Sequence, residues 1–197
     1  MAGTSGPRDF IELPSQLLEH WASEPEVLKS FAKHYETGES IPDELIEKIL
    51  KASKFNQGFI NTEYLAASLL DMDWHTISYT DPLKDSNEFE KVSLEKIGLI
   101  DEIAPRYRST YFAHIFSGGY SSGYYSYVHA AVLDSDGFEA FKEAGDVFDP
   151  ELSTKLRKTI YEKGATEEAM DLFVNFRGRK PIIAPLLKVR GLDGSSG

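Results

Sequence analysis

"INTEYLAASLLDMDWHTIS" (residues 60–78) places Tyr64, Leu65, Leu69, Met72 and Ile77 in positions that suit burial on a helix and has no Gly or Pro among them. This is the longest such run in the first half of the chain, and its burial as a helix sets the class. Upstream, "RDFIELPSQLLEHWAS" (8–23) carries Phe10, Leu13, Leu17, Leu18 and Trp21 at helical spacing. Pro14 either kinks that helix or marks its first turn. "EPEVLKSFAKHY" (24–35) opens on Glu-Pro-Glu and is broken by Gly38. "IPDELIEKILKASKF" (41–55) sets Leu45, Ile46, Ile49 and Leu50 on one face, with Pro42 in the first turn.

Downstream, residues 79–90 ("YTDPLKDSNEFE") read as a loop rich in turn formers, with a short helix following through Glu95. "YVHAAVLDSDGFEAFKEAG" reads as helix, with an interruption expected at Gly137. "DPELSTKLRKTIYEKG" offers Asp149 as N-cap, Pro150 at the first position and Gly164 as stop. "TEEAMDLFVNFRG" offers Thr166 and Gly178 in the same roles. Strand-like alternation is nearly absent, so the class is all-α.

A chain of 197 residues with 41% hydrophobic and 27% charged residues can bury a sizeable core. The formal charge of −11 and the lack of a basic block argue against nucleic acid or an anionic membrane as partner. Without cysteine there is no disulfide, thiolate metal site or cysteine nucleophile. No apolar run approaches the ~20 residues that span a bilayer. The ending 193–197, "DGSSG", reads as a flexible tail.

"HIFSGGYSSGYYSY" (114–127) concentrates one histidine, three glycines and four tyrosines. Were the segment helical from Tyr120, then Tyr120, Tyr124 and Tyr127 would share a face, with Tyr125 elsewhere. Gly118 and Gly119 would let the backbone approach a ligand or let a loop close. Phenols stay neutral at pH 7 and donate hydrogen bonds, which suits a developing oxyanion. The residues alone favour the plainer alternative, an aromatic core stripe beside a turn. None of His20, His34, His75, His114 and His129 lies three or four residues from another, so no helix presents an HxxxH pair. Asp9 and Glu12, at i and i+3, read by themselves as a solvated acidic pair. No G-x-S-x-G elbow or Walker loop occurs. "RGRKP" (177–181) reads as a helix C-terminus rather than a phosphate site.

Three stretches together resemble the M3 family of zinc metallopeptidases. They are "GTSGPRDFIELPSQLLEHWA" (3–22), "AHIFSGGYSSGYYSY" (113–127) and "FRGRKPIIAPLLKVRGL" (176–192), in family order across nearly the whole chain. The likeness is strongest to the peptidyl-dipeptidase branch, including the spacing from His114 to Tyr120. The resemblance implies a neurolysin-like, zincin-type helical fold, with 1–192 forming the C-terminal portion of a catalytic domain. It implies that Glu12 is a zinc ligand and Asp9 a carboxylate orienting a ligand. It implies that His114, Tyr120 and Tyr127 contact substrate and the tetrahedral intermediate, with Gly118, Gly119 and Tyr124 in the substrate-binding loop.

The family's HExxH helix, which supplies two histidine ligands and the general base, has no counterpart in these residues. The chain is therefore expected to be a C-terminal part of a longer cytoplasmic peptidase, inactive alone. Its expected partners are short peptides and the missing N-terminal part, with self-association through an apolar face left exposed. The alternative is a non-catalytic helical peptide-binding or regulatory module. The reading frame upstream of Gly3 separates the two, since an HExxH helix there selects the peptidase.

Overall fold

The computed structural model describes residues 6–194. The segment Gly3–Ser5 of the N-terminal motif and residues 195–197 of the expected tail lie outside them. The described residues form ten α-helices and no β-strand, apart from an isolated antiparallel bridge between Lys33 and Ser40. The protein is all-α.

The helices are α1 (Leu13–Ala22), α2 (Pro25–Phe31), α3 (Asp43–Ala52), α4 (Gln57–His75), α5 (Ser86–Lys96), α6 (Ala113–Phe116), α7 (Ser126–Ala144), α8 (Pro150–Leu156), α9 (Ala169–Arg177) and α10 (Ala184–Val189). They fall into two compact units. One runs up to Phe55 and resumes at Ala130; the other spans Asn56–His129.

The first unit is built on α7. From Ala130 on, this helix is buried almost all round, by Leu133, Phe138, Phe141 and their neighbours. Leu13 and Leu17 of α1 and Leu172, Phe173 and Phe176 of α9 pack against that stretch. Trp21 sets its ring edge-on to Phe138 and Phe141 and donates its indole N–H to the Val147 carbonyl at 2.8 Å. α1 begins only at Leu13, so Pro14 marks a first turn and makes no kink. The expected break at Gly137 does not occur, because the helix packs close to Leu17 there and a glycine needs no extra space.

Such a buried helix carries two aspartates that must be paired. Asp134 receives the Gln16 amide at 2.8 Å and lies 2.7 Å from His20 Nε2. Asp136, fully buried, receives Arg177 Nε at 3.0 Å, two Arg179 nitrogens at 2.6 Å and the Ile182 N–H at 3.0 Å. Arg177 also clasps Glu143 through both terminal nitrogens, at 2.7 and 2.6 Å. This hydrogen bonding lowers the Glu143 pKa. Arg177 and Arg179 of the basic cluster at 177–181 are thus paired with carboxylates of α7.

Side-chain caps are seen at the starts of α5 and α8. Asp149 accepts from the Leu152 N–H at 2.7 Å and opens α8, which ends in a π-helical turn over Arg157–Tyr161. Gly178 closes α9, donating to Val174 at 2.7 Å. Thr166 is not the cap of α9. Glu168 stands at that position, and the Thr166 hydroxyl turns back to Lys163. Pro42 precedes α3 as its N-cap instead of sitting in its first turn. α5 starts earlier than expected, at Ser86, because Asp85 accepts from the N–H groups of Asn87 and Glu88, both at 3.0 Å.

In the second unit, α4 departs from its sequence pattern. Leu65, Leu69 and Met72 are exposed, whereas Ala66, Ala67, Ser68, Leu70 and Asp71 are buried. Small side chains let neighbouring aromatic rings approach that face, and the bulky stripe is left outside. α3 in the first unit is similar, with only Ile46 buried while Leu45, Ile49 and Leu50 are exposed. Leu18 of α1 is exposed as well.

Truncation separates buried charge from cap. Asp136→Ala removes the shared acceptor of Arg177 Nε, Arg179 and the Ile182 N–H while Arg177 keeps Glu143, and should cost about 3 kcal/mol in urea unfolding, against about 1 kcal/mol for Asp149→Ala. Equal losses would contradict the pairing described.

Candidate active site

The tyrosine-rich stretch is not one helix. α6 ends at Phe116, residues 117–125 turn, and α7 starts at Ser126. The phenols meet for a different reason from the expected i, i+4, i+7 face. After α6 the chain reverses sharply, with the N–H groups of Ser117 and Gly118 both reaching the Ala113 carbonyl, at 2.8 and 2.9 Å. The Tyr120 N–H then reaches the His114 carbonyl at 3.0 Å. A Cβ on Gly118 would stand 2.9 Å from that same carbonyl oxygen, and Gly119 takes φ +80°. Both positions need glycine for the backbone to fold over itself.

This reversal brings His114, Tyr120 and Tyr127 together. Tyr120 and Tyr127 stack, with centroids 5.2 Å apart and planes 15° from parallel. The His114 ring stands edge-on to both, at 5.8 and 6.4 Å. All three are half-buried, so each keeps an exposed portion. Tyr124 differs in being only 2% exposed and lying in the core with Phe112, Ile115 and Ala67. Its ring contacts Tyr64, Tyr107, Phe112, His114 and Tyr127. The aromatic-core reading therefore holds for Tyr124, whereas Tyr120 and Tyr127 keep exposed portions. Tyr125 is exposed and lies outside the cluster.

Four further residues belong to the cluster and escape the motif reading. Tyr64 stacks on Tyr124 at 5.4 Å, and Tyr107 stacks on Phe112 at 5.0 Å. The Arg106 guanidinium lies 5.3 Å from the Tyr64 centroid, within cation–π range. Asp71, fully buried on α4, accepts from the N–H of Ser122 at 3.0 Å and of Tyr124 at 2.9 Å. His75 Nδ1 lies 2.8 Å from the same carboxylate. Asp71 stands on α4 seven residues after Tyr64 and four after Ala67, so helical spacing alone puts it on their face.

Glu12 and Asp9 belong to the first unit, in and just before the N-terminal boundary of α1. Both are half-buried. The Glu12 carbonyl takes the Gln16 N–H at 3.0 Å, and Ser15 Oγ lies 3.4 Å from Glu12 Oε2. Among the described residues no group of three or more His, Asp or Glu side chains could hold a metal ion. Zn²⁺ requires about four donors, so the residues present do not by themselves fit one.

The family model for Peptidase family M3 matches residues 1–192. The chain belongs to peptidase family M3. It is 43% identical over 194 residues to a dipeptidyl carboxypeptidase of Escherichia coli, covering 98% of this chain and 28% of that protein. Oligopeptidase A of the same organism is 38% identical over 200 residues, 98% of this chain and 28% of the relative. A probable cytosolic oligopeptidase A of Arabidopsis thaliana is 37% identical over 191 residues, 95% of this chain and 27% of the relative. The chain thus spans little more than a quarter of the length of these M3 peptidases. Among the described residues no helix is long and apolar enough to cross a membrane.

Burial raises the phenol pKa of Tyr64, reinforced by Tyr124, and raises that of Tyr124 against the pull of Arg106. Burial alone raises Tyr161. Unfolded tyrosine ionises near pH 10, so the stability held by these neutral phenols is whole below about pH 10 and is lost as pH rises above it. Absorbance titration at 295 nm alongside circular dichroism should show some of the ten tyrosines ionising only as helix is lost. A single class titrating near pH 10 with helix intact would contradict this.

Proposed function

We propose that the chain is part of a zinc-dependent peptidase that hydrolyses short peptides, releasing C-terminal dipeptides. The observation that carries the reading is the stacked Tyr120–Tyr127 pair with His114 against it, held on a glycine reversal in a chain of family M3. The names of the similar proteins, a dipeptidyl carboxypeptidase and two oligopeptidases, support the substrate class. The first supports dipeptide release, and the cytosolic relative supports a cytoplasmic setting.

In this reading Tyr120 and Tyr127 donate hydrogen bonds to the carbonyl oxygen of the scissile peptide as it gains charge. Each phenol is an uncharged donor fixed before reaction, so the pair costs little reorganisation when the oxyanion forms. His114, edge-on to both, holds the substrate backbone. Gly118 and Gly119 admit that backbone close to the loop. Tyr124, being buried, serves by supporting the three others. Glu12 is one ligand of the zinc and Asp9 orients it. The remaining ligands and the general base come from outside these residues. Exposed Leu65, Leu69 and Met72 on α4 support self-association of the separate chain.

Two experiments follow. In the complete zinc-loaded product of the reading frame that encodes the chain, Tyr120→Phe or Tyr127→Phe should each lower kcat by about 10²–10³ with a smaller change in KM. Unchanged kcat in both would overturn the oxyanion role. The 197-residue polypeptide alone should bind no stoichiometric zinc by metal analysis after dialysis and cleave no peptide. One zinc per chain with peptidase activity would overturn that assignment of ligands.

A further inference from the structure

We propose that Asp71 is a positioning residue, whose carboxylate holds the Tyr120–Tyr127 turn in its working geometry. The inference rests on the peptidase reading of that turn and adds a residue to it. Six residues separate Tyr120 from Tyr127, and most of them lack regular structure. A stack of two half-buried rings needs that connection fixed, because free rotation in the turn would part them.

The fixing contacts come from one side chain. Asp71 Oδ1 takes the Ser122 N–H at 3.0 Å and Oδ2 takes the Tyr124 N–H at 2.9 Å. The two oxygens therefore span three consecutive residues in the middle of the turn. Ser122 is held at φ +54°, a left-handed conformation that a non-glycine side chain adopts only when its surroundings impose it. The Tyr124 N–H bond also places the Tyr124 ring, against which Tyr127 and His114 rest at 5.4 and 5.8 Å. Asp71 has no exposed surface, and a carboxylate buried to that extent is not tolerated without partners. His75 Nδ1, 2.8 Å from Oδ1, orients the carboxylate from the next turn of α4. Asp71 does not reach the reacting atoms in this reading; it acts through the backbone.

Asp71→Asn is the discriminating variant, since its volume is unchanged but one acceptor becomes a donor facing an N–H. Hydrogen–deuterium exchange of the complete protein should show the Ser122 and Tyr124 amides exchanging at least tenfold faster, with α8 and α9 unchanged. In the zinc-loaded protein kcat should fall at least thirtyfold while KM stays within threefold. Asp71→Glu, which keeps the charge but displaces it by one methylene, provides both readouts should the asparagine variant not fold. It should raise exchange at both amides at least threefold. Unchanged exchange in the variants would overturn the proposal, as would faster exchange with unaltered kcat. Should Tyr120→Phe and Tyr127→Phe both leave kcat unchanged, the peptidase reading falls by itself, and exchange still decides whether Asp71 holds the turn.

Discussion

A buried carboxylate that accepts from two backbone N–H groups fixes the turn on which the candidate site depends. Asp71 cannot remain in the interior of the second unit without donors, and the turn at 122–124 supplies them. The need is mutual, since the amides of an irregular turn also require acceptors. Each partner therefore specifies the other. The bond tilts Tyr124 inward, where it becomes the floor against which His114 and Tyr127 rest. The glycine reversal at 118–119 then returns Tyr120 to stack on Tyr127.

The first unit uses the same device for a different end. Asp136 gathers Arg177, Arg179 and the Ile182 N–H, so one anion organises the chain after α9. Asp134 ties α1 to α7 through Gln16 and His20, at positions i+4 and i+8 from Glu12. In both units apolar packing sets where helices lie, and buried charge sets where irregular backbone goes. Removing Asp71 or Asp136 would therefore disturb connections more than helices, whereas Asp134 joins two helices directly.

Much of this was legible in the residues. Apolar patterning in 8–23 and 60–78 identified the helices, and Asp149 with Pro150 marked the start of α8, because capping is local chemistry. The burial pattern of α4 was not legible. Leu65, Leu69 and Met72 form the stronger apolar stripe, yet the face with Ala67 and Asp71 is the buried one, chosen by aromatic neighbours more than forty residues on. The tyrosine motif was recognised for its composition, but helical spacing gave the wrong reason for the pairing of Tyr120 with Tyr127. The reversal depends on Gly118 facing the His114 carbonyl and on Asp71, and a local spacing rule sees neither. Glu12 had only the resemblance to support it, since a single carboxylate at a helix start has no local signature.

The central claim is that the Tyr120 and Tyr127 phenols are aimed at a developing oxyanion. The most direct measurement is a crystal structure of the complete, zinc-loaded protein with a phosphinic peptide that mimics the tetrahedral intermediate. The account predicts both phenol oxygens within about 2.7–3.1 Å of the phosphinyl oxygen, with the 118–124 turn as described. An inhibitor bound with both phenols directed away from that oxygen would contradict it.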